Sequence, residues 1–361
     1  MFDIESIYEA KSVGDAVRAL NERPDAELIS GGTDVLIRLR AGKGAGRPLV
    51  SIHELSEIKG VELQENGDIR IGAGTTFVKI TNSPVIQQYI PMLGEAVDTV
   101  GGPQIRSMGT IGGNICNGAT SADSASTMFT LEAEIVLEGP EGERVVPISE
   151  FYIGPGQTVR QHAEVCKYFL IRRDSIDGWH GRYIKYGKRK AMEIATLGCA
   201  VRVKLSSDKK LIEDVRLAYG VAAPTPVRCH KAEAILRGRR TDDEMAVEEF
   251  VKAALTEVNP RSSWRASKEF RLQLIAELAR RALADAVRLA GGKAADEIAC
   301  WRSGSLAESD MADDTSCKAT ADSASCDSMT DKEVCAKTGS ASTDANRRSR
   351  TGEEEGGGRD A

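Results

Sequence analysis

Leu28-Ile29-Ser30-Gly31-Gly32-Thr33-Asp34-Val35 and, farther along, Thr110-Ile111-Gly112-Gly113-Asn114-Ile115 decide how this chain is read. Each is a short apolar run that breaks into Gly-Gly and then a small hydroxylated or amide residue. Consecutive glycines lack Cβ atoms, so they reach positive φ and let the backbone come within hydrogen-bonding distance of a ligand. Their N–H groups can converge into a nest for phosphate oxygens. One such pair is commonly a turn. Two, facing each other, suit a pyrophosphate, and so a dinucleotide.

The rest of the composition narrows the choice. A chain of 361 residues with 41% hydrophobic content is expected to bury cores in two or three domains. Aromatics make up only 5%, which argues against stacking platforms for nucleic acid. The net charge of −6 sits in the last segment: from Lys293 onward there are nine Lys/Arg and fifteen Asp/Glu, while the preceding residues carry 39 of each sign. A neutral body offers no footprint for a nucleic-acid backbone or an anionic membrane. The acidic start, Met1-Phe2-Asp3-Ile4-Glu5, reads neither as a signal peptide nor as a membrane span. Cys116, Cys166, Cys199 and Cys229 are widely spaced, and no Cys-x-x-Cys occurs in the whole sequence. They read as reduced thiols of a cytoplasmic protein with no zinc or iron–sulfur site of its own. Histidines 53, 162, 180 and 230 form no cluster in the sequence, so neither a metal site nor a catalytic residue is assigned.

Along the chain, residues 1–55 read as a small βαβ unit. Ser12 caps a helix with Val13, Ala16, Val17 and Leu20 on its apolar face; residues 28–30 form a strand into the first glycine loop, with a short helix behind it. The glycines at 42, 44 and 46 lack the Gly-Lys-Ser/Thr ending of a P-loop. A second unit, 58–178, opens with a hairpin at Asn66-Gly67 and contains a helix-poor stretch, 101–121, of the kind that tends to be functional. From 179 to 292 three strands precede two helices. The first is capped by Thr241 with Glu244 and buries Val247, Val251, Leu255 and Val258. The second starts at Ser267, buries Phe270, Leu274, Leu278 and Leu283, and stops at Gly291-Gly292. Residues 293–361 are rich in Ser, Thr, Ala, Asp and Glu and read as a disordered tail. Its cysteines 300, 317, 326 and 335 do not have metal-site spacing.

The two glycine motifs, the run Asn117-Gly118-Ala119-Thr120-Ser121-Ala122-Asp123-Ser124, Tyr183-Ile184-Lys185-Tyr186 and Pro260-Arg261-Ser262-Ser263-Trp264-Arg265 together resemble the FAD-binding subunit of the molybdenum hydroxylases. Within that family the likeness is greatest to bacterial xanthine dehydrogenase medium subunits. The resemblance implies an α+β chain: a two-subdomain FAD-binding fold of the vanillyl-alcohol-oxidase (PCMH) type over 1–178, then a CO-dehydrogenase-flavoprotein-like C-terminal domain over 179–292. It implies FAD contacts from Leu28, Ile29, Ser30, Gly31, Gly32, Thr33, Asp34 and Val35, and from Thr110, Ile111, Gly112, Gly113 and Asn114. Asp123, Lys185, Val100 and Cys166 are implied contacts as well. It further implies a molybdopterin-binding large subunit, a 2Fe–2S small subunit and NAD⁺ as electron acceptor. Taken as residues alone, Asp123 is equally a helix cap, Lys185 a solvated strand lysine, and Ser262-Ser263-Trp264 a helix entry with a buried tryptophan.

Overall fold

The computed structural model describes residues 3–295. The acidic tail, with its four cysteines, lies outside the described residues except for positions 293–295.

The first layer is a parallel sheet in the order β1-β3-β2 (β1 Ile4–Glu9, β2 Glu27–Ile29, β3 Arg47–Ser51), with helix α1 (Val13–Glu22) crossing between the first two strands. Ser12 Oγ accepts the Asp15 N–H at 3.0 Å, satisfying one of the donors that a helix start leaves unpaired. The expected stripe of Val13, Ala16, Val17 and Leu20 is buried against Val50 and Ile52. β2 runs out into the first glycine loop, after which α2 (Val35–Arg40) begins.

The second sheet is antiparallel, in the order β4-β5-β10-β6-β7. Hairpin β4 (Val61–Leu63) and β5 (Ile69–Gly72) turns at Asn66-Gly67, where Gly67 has φ +87°. Helices α3 (Phe77–Thr81), α4 (Pro84–Tyr89), α5 (Pro91–Asp98), α6 (Pro103–Met108), α7 (Ile111–Cys116) and α8 (Asp123–Thr130) follow. Then come β6 (Glu134–Gly139), β7 (Gly142–Pro147), the short α9 (Ile148–Phe151), the ribbon β8 (Tyr152–Gly154) and β9 (Gln157–Thr158), and β10 (Val165–Ile171). The stretch 101–121 is thus less bare than expected, because α6 and α7 occupy it. Each is six residues long, too short for a helical period to show, and α7 carries two glycines that depress its propensity.

The third sheet is antiparallel as well, in the order β11-β12-β13-β14 (β11 Trp179–Tyr186, β12 Leu197–Leu205, β13 Ile212–Gly220, β14 Val227–Arg228), and is backed by α10 (His230–Leu236), α11 (Glu244–Thr256) and α12 (Lys268–Leu289). Four expectations are corrected here. The cap of α11 is Asp243, whose carboxylate accepts from Ala246 N at 3.0 Å, and not Thr241. Its buried face is accordingly turned toward Ala246, Phe250, Val251 and Ala254, leaving Val247, Leu255 and Val258 partly buried. Phe270 is 39% exposed and meets Tyr186 edge-on, and Trp264 is 80% exposed under the Arg265 guanidinium instead of buried at a helix entry.

Helix α8 lies among α5, α7 and strands β12 and β13, and all eight of its residues are buried. It therefore joins the second sheet's helices to the third sheet and sets Asp123 at its first position.

Candidate functional site

A cleft of about 1020 Å³ opens where the first glycine loop faces α7, at the upper end of the range for ligand sites. Leu28, Ser30, Gly31, Gly32, Thr33, Asp34, Val35, Val100, Thr110, Gly112, Gly113, Asn114, Asp123 and Cys166 all line it. Three expected contacts do not. Ile29 packs below Gly32; Ile111 is fully buried in the core of the second sheet; and Lys185 stands behind Asp123.

The two glycine loops differ in how they use their amides. In the second, the four amides from Ile111 to Asn114 are already engaged: Ile111 donates to Thr75 O at 3.1 Å, Gly112 to Ala73 O at 2.8 Å, Gly113 to Thr110 Oγ1 at 3.1 Å, and Asn114 to Thr110 O at 3.0 Å. The Thr110 hydroxyl is a helix cap, and Gly112 is glycine because a Cβ there would come within 2.6 Å of the Ala73 Cβ. In the first loop the amides of residues 31–35 have no acceptor among the described residues. Gly32 holds φ +72°, and a Cβ on Gly31 would collide with the Met108 carbonyl. The expected pair of equivalent nests is thus one nest of unpaired donors, in the loop before α2, braced by a packed partner. Such a donor set fits a phosphate group.

At another part of the wall, Asp123 is 6% exposed and accepts from Tyr183 Oη and from Lys185 Nζ, both at 2.8 Å. Lys185 Nζ also donates to Thr99 O at 2.9 Å. β11 brings both partners: Tyr183 and Lys185 alternate onto one face, and Gly198 opposite leaves room for the phenol, since a Cβ there would lie 2.9 Å from its oxygen. Asp123 makes no helix-cap hydrogen bond, and Lys185 is not solvated, so the ordinary reading of each residue gives way to a buried ion pair. Burial raises the Asp123 carboxyl above its usual range although Lys185 and Tyr183 pull it down, and burial together with Asp123 pushes the Tyr183 phenol well up.

Several lining residues escaped the sequence reading. Cys116 and Arg160 stand beside Cys166, and Ile153, Met192 and Ile194 form an exposed apolar rim. They come from separate loops and element ends and share no motif; only the density of small residues around Cys116 hinted at a cleft. Among the described residues no cluster of three His, Cys, Asp or Glu side chains is arranged to hold a metal, and no helix is long and apolar enough to cross a membrane.

Unpaired amides and a buried carboxylate share one long cleft, a lining that suits an extended, phosphate-bearing cofactor. Comparison with known proteins gives the class. Residues 2–171 match the FAD binding domain in molybdopterin dehydrogenase, and residues 182–286 the CO dehydrogenase flavoprotein C-terminal domain. The chain is 42% identical over 293 residues to the xanthine dehydrogenase FAD-binding subunit of Escherichia coli O157:H7, covering 81% of this chain and 99% of that one. It is 32% identical over 277 residues to the carbon monoxide dehydrogenase medium chain of Hydrogenophaga pseudoflava, covering 76% of this chain and 94% of the relative. A solved structure of carbon monoxide dehydrogenase from the same organism, lacking the Mo-pyranopterin moiety of its cofactor, superposes with a TM-score of 0.75 at 29% identity, over 80% of this chain and 99% of that one. The chain belongs to the FAD-binding medium subunits of the molybdenum hydroxylase family; it is an oxidoreductase subunit, and its cofactor is FAD.

Proposed function

We propose that the chain is the electron-transfer subunit of a xanthine dehydrogenase acting in purine catabolism or salvage, assembled with a molybdopterin-binding large subunit and a 2Fe–2S small subunit in the cytoplasm. FAD, when bound, would supply the redox chemistry that carries electrons from the iron–sulfur clusters to NAD⁺. The protein's part is to bind, orient and shield it. The observation that carries this reading is the set of unpaired amides at residues 31–35 on the same cleft as Asp123. Those amides would hold the pyrophosphate, with Ser30 and Thr33 adding hydroxyls. Asp123, fixed by Lys185 and Tyr183, would accept a hydroxyl of the cofactor, and Val100 and Cys166 would give apolar contact. Thr110, Gly112, Gly113 and Asn114 act by shape, holding α7 against the cofactor. The xanthine assignment follows the 42% identity to named xanthine dehydrogenase subunits, and the free thiols of the four described cysteines suit a reducing compartment.

The test is co-expression with candidate large and small subunits, purification, and assay. Xanthine-dependent reduction of NAD⁺ with one FAD per chain is expected. A second reading, the flavin subunit of a carbon monoxide, nicotinate or aromatic-thioester hydroxylase, draws on the 32% identity to a carbon monoxide dehydrogenase medium chain. Turnover of one of those substrates with none of xanthine would select it. Bleaching of bound flavin by NADH in the isolated chain is expected as well, and its absence would mark a redox-passive assembly module.

A further inference from the structure

The loop that leads into α12 is short of anions. Residues 260–271 hold four cations, Arg261, Arg265, Lys268 and Arg271, against one carboxylate, Glu269, which pairs with none of them. Arg271 is 2% exposed, yet neither it nor Arg261 nor Arg265 makes an ion pair among the described residues. Its Nη1 donates to Val221 O at 3.3 Å and its Nη2 to Ser263 Oγ at 2.9 Å, while its Nε is buried without a partner among the described residues. Burial and the guanidiniums of Arg261 and Arg265 lower its pKa. A buried charge without a counter-ion is costly, so this part of the chain gains from an anion brought from outside.

Ser263 ties the buried cation to the surface. Its hydroxyl also accepts from Arg265 N at 3.3 Å, its amide donates to Ala266 O at 2.9 Å, and beside it Ser262 Oγ accepts from Lys268 N at 2.9 Å. The loop held in this way leaves Trp264 80% exposed, with the Arg265 guanidinium 4.3 Å from its ring centroid. Tryptophan is well buried in most proteins, and Trp and Arg are the residue types that dominate protein interfaces. The loop also adjoins the cofactor cleft. Val221, which accepts from Arg271, donates its own N–H to Thr120 O at 3.0 Å, between the cleft-lining Ala119 and Ser121. Val221 holds φ +67°, a strained conformation for a β-branched residue that persists only where its neighbours fix it.

We propose that the loop 261–265, with Arg271 beneath it, is the docking site for an acidic segment of the iron–sulfur small subunit. The docking rests on the assembly proposed above, in which electrons reach FAD from the clusters. The chain that carries them must sit close to the cleft, and Val221 sets Arg271 two hydrogen bonds from the cleft wall. A carboxylate of that segment would pair with Arg265 and Arg261 in the fork geometry that guanidinium groups favour. An apolar side chain would cover Trp264, and the added negative charge would compensate Arg271 below.

The experiment uses the co-expressed three-chain complex with this chain at full length. R265K keeps the positive charge and offers an amine. A carbodiimide, which joins amines to carboxylates without a spacer, is expected to link it to an Asp or Glu of the small subunit, read by mass spectrometry of the digest. The isolated W264A/R265E chain is expected to keep its FAD, its melting temperature and its bleaching by NADH at the wild-type level. In the complex, xanthine-driven reduction of that flavin should fall by roughly tenfold in dilute protein, where weakly held subunits part, whereas R265K should stay near wild type. A carbodiimide link from R265K to the large subunit or to a carboxylate of this chain overturns the docking site, as does the lack of any link. Wild-type flavin reduction in the W264A/R265E complex overturns it too. If the three wild-type chains do not assemble, the proposed function falls and this inference with it.

Discussion

Asp123 ties a buried ion pair to the wall of the cleft. Its two oxygens accept from Tyr183 and Lys185, and it also lines the cleft. Its carboxyl is raised above the ordinary value, so its contribution to stability is fully present below the unfolded-state pKa of about 4 and is lost as pH rises through the raised one. Wild type should therefore lose stability relative to D123N as pH increases across that window. Thermal melts at a series of pH values check this, and a wild type that gains stability relative to D123N as pH rises would contradict it. D123N should also bind FAD about 1–3 kcal/mol more weakly, the range for hydrogen bonds to charged groups, which titration of apo protein measures. K185M should cost about 3 kcal/mol because it leaves the carboxylate buried without its cation, and it should cost less in the D123N background. The sequence could name Asp123 and Lys185 by resemblance, but not their pairing. That depends on β11 crossing α8, a contact between residues 62 positions apart.

At the scale of elements, the two Gly-Gly motifs look alike in sequence and do different work. Gly31 is needed because the Met108 backbone occupies the space of a Cβ, and Gly32 because of its positive φ. Gly113 sits in the first turn of a capped helix, where a Cβ would meet only the Thr110 hydroxyl at 3.1 Å. G31A should abolish FAD retention. G113A should leave the protein folded and change its stability by no more than about 1 kcal/mol, since the helical preference of Ala over Gly offsets the crowding. Absorbance spectra and denaturant melts of the two variants test this; equal loss of flavin from both would restore the symmetric reading. Helix α8 was illegible for another reason. Its sequence, Asp-Ser-Ala-Ser-Thr-Met-Phe-Thr, has no amphipathic period because every face is buried. Two of its hydroxyls are accommodated locally, Thr127 Oγ1 donating to Ser124 O at 2.7 Å and Thr130 Oγ1 to Thr127 O at 2.8 Å, while Ser124 Oγ donates to Asn114 Oδ1 at 2.7 Å and Ser126 Oγ is buried without a partner among the described residues. By contrast, α1 and the β4–β5 hairpin were readable because each has a solvent face, a cap or a turn whose chemistry is local.

Across the whole described body, polar contacts join the second sheet's helices to the third sheet both at the cleft wall and away from it. Away from the cleft, Arg216 and Arg228 both bind Glu132, at 2.7 and 2.5 Å, while Arg202 and Arg216 stack on Trp179 and reach the carbonyls of Ser175 and Thr130. E132Q leaves the largely buried Arg216 guanidinium without its carboxylate, whereas Arg228 keeps Glu233. It should cost about 2 kcal/mol, below the fully buried range because Glu132 is half exposed, and a denaturant midpoint checks this. At the cleft, the Asp123 to Lys185 contact is such a joint, and α8 between them is buried on one side by β12 and β13. Removal of the third sheet would thus do two things at once: uncover the face of α8 that packs on β12 and β13 and leave Asp123 without either partner. A chain ending at residue 178 keeps both glycine loops and every expected FAD contact except Lys185. If the loops alone held the cofactor, it would stay yellow. We expect instead that it loses FAD and associates through the uncovered α8, because the carboxylate and the helix that positions it depend on the third sheet for burial and pairing. Size-exclusion chromatography with flavin absorbance decides the matter, and a monomeric, fully flavinated fragment would show that the third sheet is dispensable for the site.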